Sequence, residues 1–144
     1  MCVSTMKALV FLVPFALFFG ASFSSEALRS VPRIRQAGED DNILRKACRE
    51  LTLDEIKSPE IQAAGRIAQA AILDHRYRKG FGRGIAAPQL GFDFRMLALN
   101  IPGMDTITMY NPVIEERSNS TFLMWGGCMS FPDKMALVRR YTSV

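Results

Sequence analysis

The hydrophobic pattern opens with an apolar run from Ala8 to Phe19, broken only by Pro14. It stands behind a single Lys7 and ahead of the small residues Gly20, Ala21, Ser22, Ser24 and Ser25. A short charged start, an apolar middle and small residues at a cut site are the layout of a secretory signal. The run is too short for a spanning helix, which needs about 20 apolar residues. Residues 1–22 are therefore expected to be a signal peptide, in preference to an uncleaved anchor or a buried helix, with no stable membrane span once it is removed. Residues 23–38 hold three Arg and three Ser against one acidic residue, Glu26. That composition resembles a transit peptide. The pair resembles the two-part leaders that carry proteins into complex plastids, with a mitochondrial protein, or a secreted one with a polar linker, as the alternatives.

The body is expected to span residues 39–144. Ile43, Leu44, Ala47 and Leu51 follow Asp40-Asp41-Asn42 at helical spacing and predict a short amphipathic helix. Ser58-Pro59-Glu60 is a second helix start, with a cap residue, a first-turn proline and an acid near the positive end of the dipole. From there Ile61, Ala64, Ala68, Ala71, Ile72 and His75 trace one face down to Lys79-Gly80, with Arg76, Arg78 and Lys79 in the last turn. Beyond Gly80 the pattern shortens into runs that read as strands joined by turns: 94–99, 106–110, 112–115, 120–125 and 135–138. The expected class is α+β, helices first and an antiparallel sheet after.

The net charge of +4 does not mark a nucleic-acid surface. Setting aside residues 1–38 removes Lys7, Arg29, Arg33, Arg35 and Glu26, taking the 18 basic residues to 14 and the 14 acidic to 13. The body is then almost neutral, and no nucleic-acid partner is expected. Cys2 lies in the leader, and Cys48 and Cys128 are too far apart in sequence to read as a disulfide framework. Cys48, beside an apolar stripe, is expected to be a small buried hydrophobe. His75, the only imidazole, reads as a charge partner at a helix C-terminus or a half-buried face residue.

Two clusters carry chemistry. Gly82-Arg-Gly84-Ile85-Ala86-Ala87-Pro88-Gln89-Leu90-Gly91 fits the opening of a dinucleotide fingerprint, but it follows a predicted helix, where a phosphate-cradling turn must follow a strand. Trp125-Gly126-Gly127-Cys128-Met129-Ser130 places a thiol after two glycines at a strand end. Taken alone, it suits either a buried structural cysteine or a ligand with backbone donors beside it.

In order and spacing, these clusters resemble the peptide deformylases. The family motif G-[LIV]-A-A-x-Q is here Gly84-Ile-Ala-Ala-Pro-Gln89, its N-P segment is Asn111-Pro112, and its E-G-C-L-S is Gly126-Gly-Cys-Met-Ser130. Asp41-Asn42-Ile-Leu-Arg45 is similar to D-P-x-L-R. The resemblance implies a deformylase-like α+β fold. It also implies metal-dependent removal of the formyl group from the N-terminal formylmethionine of newly made proteins, with N-formylmethionyl nascent peptides near the ribosome as partners. The metal is commonly Fe²⁺ or Zn²⁺. By the same resemblance Cys128 is the thiolate ligand, and Gln89 and the Met129 backbone N–H serve the developing oxyanion. Gly84 and Ile85, with Gly127, line the substrate cleft, and backbone groups pair the peptide as an added strand.

There are also departures. The family's H-E-x-x-H helix, which supplies two imidazole ligands and the general base, does not occur in the 144 residues, and Gly126 replaces the motif's Glu. A single sulfur does not make a four-coordinate site. The chain is therefore expected to be an incomplete deformylase lacking its C-terminal helix, inactive as it stands. The alternatives are a non-catalytic remnant that binds peptide or a partner protein through the retained cleft, and a secreted interaction module.

Overall fold

The computed structural model describes residues 31–144. The expected signal peptide, and residues 23–30 of the transit-like stretch, lie outside the described residues. Among the described residues three helices come first: α1 (Asp41–Leu44), α2 (Leu53–Lys57) and α3 (Pro59–Lys79). Five strands follow: β1 (Gly84–Ala86), β2 (Met96–Leu99), β3 (Ile107–Tyr110), β4 (Thr121–Cys128) and β5 (Phe131–Tyr141). A 3₁₀ turn, Ala87–Leu90, sits between β1 and β2. The strands form two antiparallel units, a sheet ordered β1-β2-β3 and a hairpin β4-β5. This is the α+β class that the pattern predicts.

Helix α3 forms where the apolar spacing and its caps agree. The Ser58 side chain accepts from Ile61 N–H, Pro59 occupies the first turn, and Gly80 closes the helix at φ 75°. Only a residue that tolerates the left-handed region stops a helix this way without strain. The helix buries Ile61, Ala64, Ala68, Ala71 and Ile72 against Ile85, Met96, Ala98 and Tyr110 of the sheet. Ala68 and Ala98 have no exposed surface, so small residues face each other where helix and sheet are closest. Met96 and Ala98 alternate with half-buried Leu97 and Leu99, the period-two pattern of a sheet with one face on the core.

The first predicted helix is shorter than its spacing suggests. It ends after Leu44, because the next residues pair with the sheet region: Arg49 N–H donates to Asp93 O and Arg95 N–H to Arg49 O, both at 2.9 Å. Tertiary pairing overrides the helical periodicity there, although Leu51 still reaches the core. Cys48 is half-buried, and burial raises its thiol pKa, with Asp93 adding to the effect. Helix α2 was not predicted by spacing. Thr52 and Glu55 start it with reciprocal side-chain bonds to each other's backbone N–H, a capping box.

The strand expected at 112–115 does not form. Asn111 takes φ 47°, and its side chain brackets Leu51, accepting from Leu51 N–H at 3.0 Å and donating to Leu51 O at 2.7 Å. Pro112 has no N–H for a ladder. Asn111 thus ties two distant segments together at the end of β3.

Residues 31–38 are not a free linker. Val31 and Ile34 pack against the core. Arg35 N–H donates to Gln89 O at 2.8 Å and Ala37 N–H to Ser130 O at 2.9 Å. The packed body therefore reaches at least to Val31, N-terminal to the boundary expected at residue 39. No helix among the described residues is long and apolar enough to cross a membrane.

Candidate active site

The site lies where the three-stranded sheet meets the hairpin. Gln89, in the 3₁₀ turn, accepts from Ala86 N–H through Oε1 at 2.9 Å. That backbone donor fixes which end of the amide is oxygen, so Nε2 must face the other way. It donates to Ser130 Oγ at 3.0 Å and lies 3.8 Å from Cys128 Sγ. The amide and the sulfur, 39 residues apart in sequence, meet at one point.

Cys128 reaches that point through an irregularity in the hairpin. Gly127 pairs with Met135 but Cys128 pairs with Phe131, so the register shifts between them. Asp133, with φ 61°, takes up the kink. Such bulges re-aim a side chain at the end of a ladder. Cys128 is exposed, whereas Met129 and Ser130 beside it are buried, at 8% and 3% exposure. These two residues root the hairpin in the body.

Gly127, Cys128 and Met129 line a cavity of about 560 Å³ together with His75, Phe81 and Met135. His75 enters it from the last turns of α3, edge-on to Phe81 at 5.0 Å between ring centres. Its Nε2 is buried without a hydrogen-bond partner among the described residues. Burial lowers the imidazole pKa, and Arg78 and Lys79 lower it further, so the ring is neutral at pH 7. Gly82 makes this packing possible. It has φ 120°, and a Cβ there would lie 3.3 Å from His75 Cδ2 and 3.6 Å from Met129 Sδ.

Of the other residues singled out in the sequence, Gly84 and Ile85 lie on β1, the end strand of its sheet. Ile85 turns its side chain into the core, 2% exposed, leaving only its backbone for a cleft. The fingerprint Gly82-x-Gly84 follows α3 and not a strand, as the exclusion of a dinucleotide site requires. Sequence reasoning passed over Ser130, the hydroxyl that holds Gln89, and the segment Arg35–Ala37. It set His75 aside as a helix-end residue. The S-F-P-D run after Cys128 marks a turn, but nothing in it signals a hydrogen bond to Gln89.

The donor set does not make a metal centre by itself. Among the described residues no three His, Cys, Asp or Glu side chains cluster to hold an ion, and the chain has one His in total. One thiolate and one partly buried imidazole fall short of the three protein ligands that a catalytic zinc-type site needs. Gly126 adds no carboxylate. The place of a side chain there is bounded by Val138 Cγ2 at 3.2 Å and the Arg140 guanidinium at 3.5 Å.

The Gln-bearing turn and the Cys-bearing strand end that meet at this joint are the two motifs by which the sequence resembles the deformylases. The polypeptide deformylase family matches residues 31–144, and the chain belongs to that family. It is similar to peptide deformylase 1A, chloroplastic/mitochondrial, of Arabidopsis thaliana, 32% identical over 132 residues, covering 79% of this chain and 46% of that protein. Among solved structures, a class I type b peptide deformylase from Acinetobacter baumannii superposes with TM-score 0.68 at 32% identity, covering 77% of this chain and 70% of that one. The peptide deformylase of Thermotoga maritima superposes with TM-score 0.63 at 26% identity, covering 77% and 68%. The chain spans about half the length of the curated relatives it matches.

Proposed function

We propose that this chain carries the peptide-binding and oxyanion half of a peptide deformylase, binding N-formylmethionyl peptides without releasing formate on its own. The observation that supports this most directly is the 3.8 Å approach of Gln89 Nε2 to Cys128 Sγ. It puts a neutral donor beside the sulfur, where a formyl oxygen would gain charge. Gln89 is held by Ala86 and Ser130 before any ligand arrives, so its dipole needs no reorganisation. The end strand β1 offers backbone groups of Gly84 and Ile85 to an extended peptide. The open face at Gly127, where a Cβ would meet nothing within 4 Å, leaves room for it. The related Acinetobacter enzyme has been solved bound to Met-Ala-Ser.

No hydrolytic step follows from this chain's own residues. The resemblance assigns two imidazoles and a general base to an H-E-x-x-H helix, and the 144 residues hold a single His. Nascent formylmethionyl chains are the natural ligands on this reading, and the destination is an organelle, most simply a plastid.

The test is to incubate the purified chain with Fe²⁺ or Zn²⁺ and formyl-Met-Ala-Ser and to measure formate, while titrating the same peptide calorimetrically. Saturable binding without formate release is expected. Formate release above the metal-only control would overturn the half-site reading, and absence of binding would overturn the peptide-binding one. A reporter fused to residues 1–40 tests the destination: plastid import is expected, and secretion would refute it.

A further inference from the structure

Gln89, in the 3₁₀ turn after β1, and the Met129-Ser130 turn of the hairpin belong to different units of the fold, joined directly by the Gln89 to Ser130 hydrogen bond; a third segment braces their spacing. The segment Arg35–Ala37 does this by touching both. On one side Arg35 N–H donates to Gln89 O at 2.8 Å. On the other, Ala37 N–H donates to Ser130 O at 2.9 Å, and Gln36 Nε2 approaches Met129 O at 3.4 Å. The segment does not hold itself in place well, because Arg35 Nε and Gln36 Oε1 are buried without partners, which is costly.

The compensation converges on one carboxylate. Asp40 Oδ2 accepts from Gln36 N–H at 2.9 Å and from Arg33 Nη2 at 2.9 Å, and Oδ1 accepts from Arg35 Nη1 at 3.2 Å. Its side chain is only 13% exposed. The Gln36 N–H, followed by Arg33 and Arg35, holds this carboxyl below the usual carboxylate range against the cost of burial. A carboxylate that accepts from a backbone N–H and two guanidinium groups fixes all three more firmly than neutral acceptors do.

We propose that Asp40 is the positioning residue of the site: by locking Arg35–Ala37 it sets the spacing between the Gln89 turn and the Cys128–Ser130 strand end. Asp40 touches no ligand and acts only through this strap. The inference rests on the deformylase reading for the choice of ligand alone; the spacing itself is measured without one.

The experiment compares the full chain with Asp40→Ala and Asp40→Asn by amide exchange, by the Gln89 side-chain NH₂ resonances and by calorimetric titration of formyl-Met-Ala-Ser. In Asp40→Ala, exchange at Arg35 and Ala37 rises about tenfold or more. The Gln89 signals shift and peptide binding weakens several-fold, while exchange at Ala64–Ile72 in α3 stays unchanged. Asp40→Asn, which keeps an acceptor for Gln36 N–H but loses the charge, falls between. Unchanged protection at Arg35 and Ala37 with unmoved Gln89 signals would overturn the proposal. So would acceleration spread equally into α3, the mark of general destabilisation. If the unaltered chain binds no peptide, the deformylase reading fails while the exchange and Gln89 signals still decide the positioning role. Should Asp40→Ala not fold, Arg33→Met removes one partner at a mostly exposed position and must move the same signals in the same direction.

Discussion

Replacing Gln89 with Glu separates what the amide does for folding from what it does for a ligand. The side chains are nearly isosteric. Glu Oε1 still accepts from Ala86 N–H, replacing the 2.9 Å bond. At the other end an oxygen takes the place of Nε2, and the Ser130 hydroxyl, now 3.0 Å from Nε2, rotates to donate instead of accept. Both hydrogen bonds survive, so unfolding free energy is expected to change by less than about 1 kcal/mol. Toward a formyl oxygen, however, a donor has become an acceptor. Losing that donor and opposing two oxygens weakens formyl-Met-Ala-Ser binding at least about tenfold, or roughly 1.4 kcal/mol. Gln89→Leu is the contrast. It strands Ala86 N–H and leaves the buried Ser130 hydroxyl without its donor, costing about 1–3 kcal/mol of stability as well as binding. Urea unfolding followed by far-ultraviolet circular dichroism and calorimetric titration measure the two effects. If Gln89→Glu binds the peptide within about twofold of the unaltered chain, the assignment of Gln89 as a donor to the ligand is wrong.

Three further outcomes are expected. A methyl at Gly65 overlaps the Tyr110 hydroxyl, with Thr108 Cγ2 and Tyr110 Cζ in ordinary contact at 3.4 and 3.5 Å. Gly65→Ala should thus lose about 1 kcal/mol despite better helix propensity, and Tyr110→Phe should restore it, with a coupling energy above about 1 kcal/mol; additivity within about 0.5 kcal/mol would refute the overlap. His75 should titrate below the ordinary imidazole value in a proton NMR titration. Between its folded and unfolded pKa the unfolded chain holds the proton that the native ring lacks, so stability falls as pH drops through that window, and the loss is complete below the folded pKa; a normal or raised pKa contradicts the buried placement. Gly126→Glu should bring a carboxylate to Arg140 and stiffen the hairpin, raising stability by up to about 1 kcal/mol at this half-buried site, and unchanged urea midpoints would argue against that contact.

The sequence made the long helix legible because periodicity, Ser58, Pro59 and Gly80 all agree on its limits. Gln89 and Cys128 were legible only as a pair of motifs, since nothing local shows that residues 39 apart meet. What was missed follows from physics that spacing does not carry. Residues 31–38 look like a polar leader because they continue a stretch in which Arg29, Arg33 and Arg35 dominate the composition, yet Val31 and Ile34 are anchors and Arg33 and Arg35 pair with Asp40. The strand read at 112–115 fails because Asn111, its side chain bracketing Leu51, takes φ 47° and leaves the extended path, and Pro112 has no N–H to give a ladder. His75 lies on the helix face that the spacing indicates, but the cavity it enters is lined from the other side by Cys128, Met129 and Met135, contacts between segments that no single stretch reveals.

The hairpin gives the site an unusual dependence. Residues directly opposite share a face, so Leu123, Trp125, Met135, Leu137 and Tyr141 form a largely apolar side of the ribbon, interrupted by Thr121 and Arg139, with Trp125 still 63% exposed. Cys128 stands at the end of that ribbon, and Met129 and Ser130 moor it to the body. A two-stranded ribbon is barely self-supporting, so whatever settles on its greasy side also steadies the sulfur. On the proposed function, occupancy of that side and peptide affinity beside Cys128 would then be linked quantities, each changing the other by the same factor.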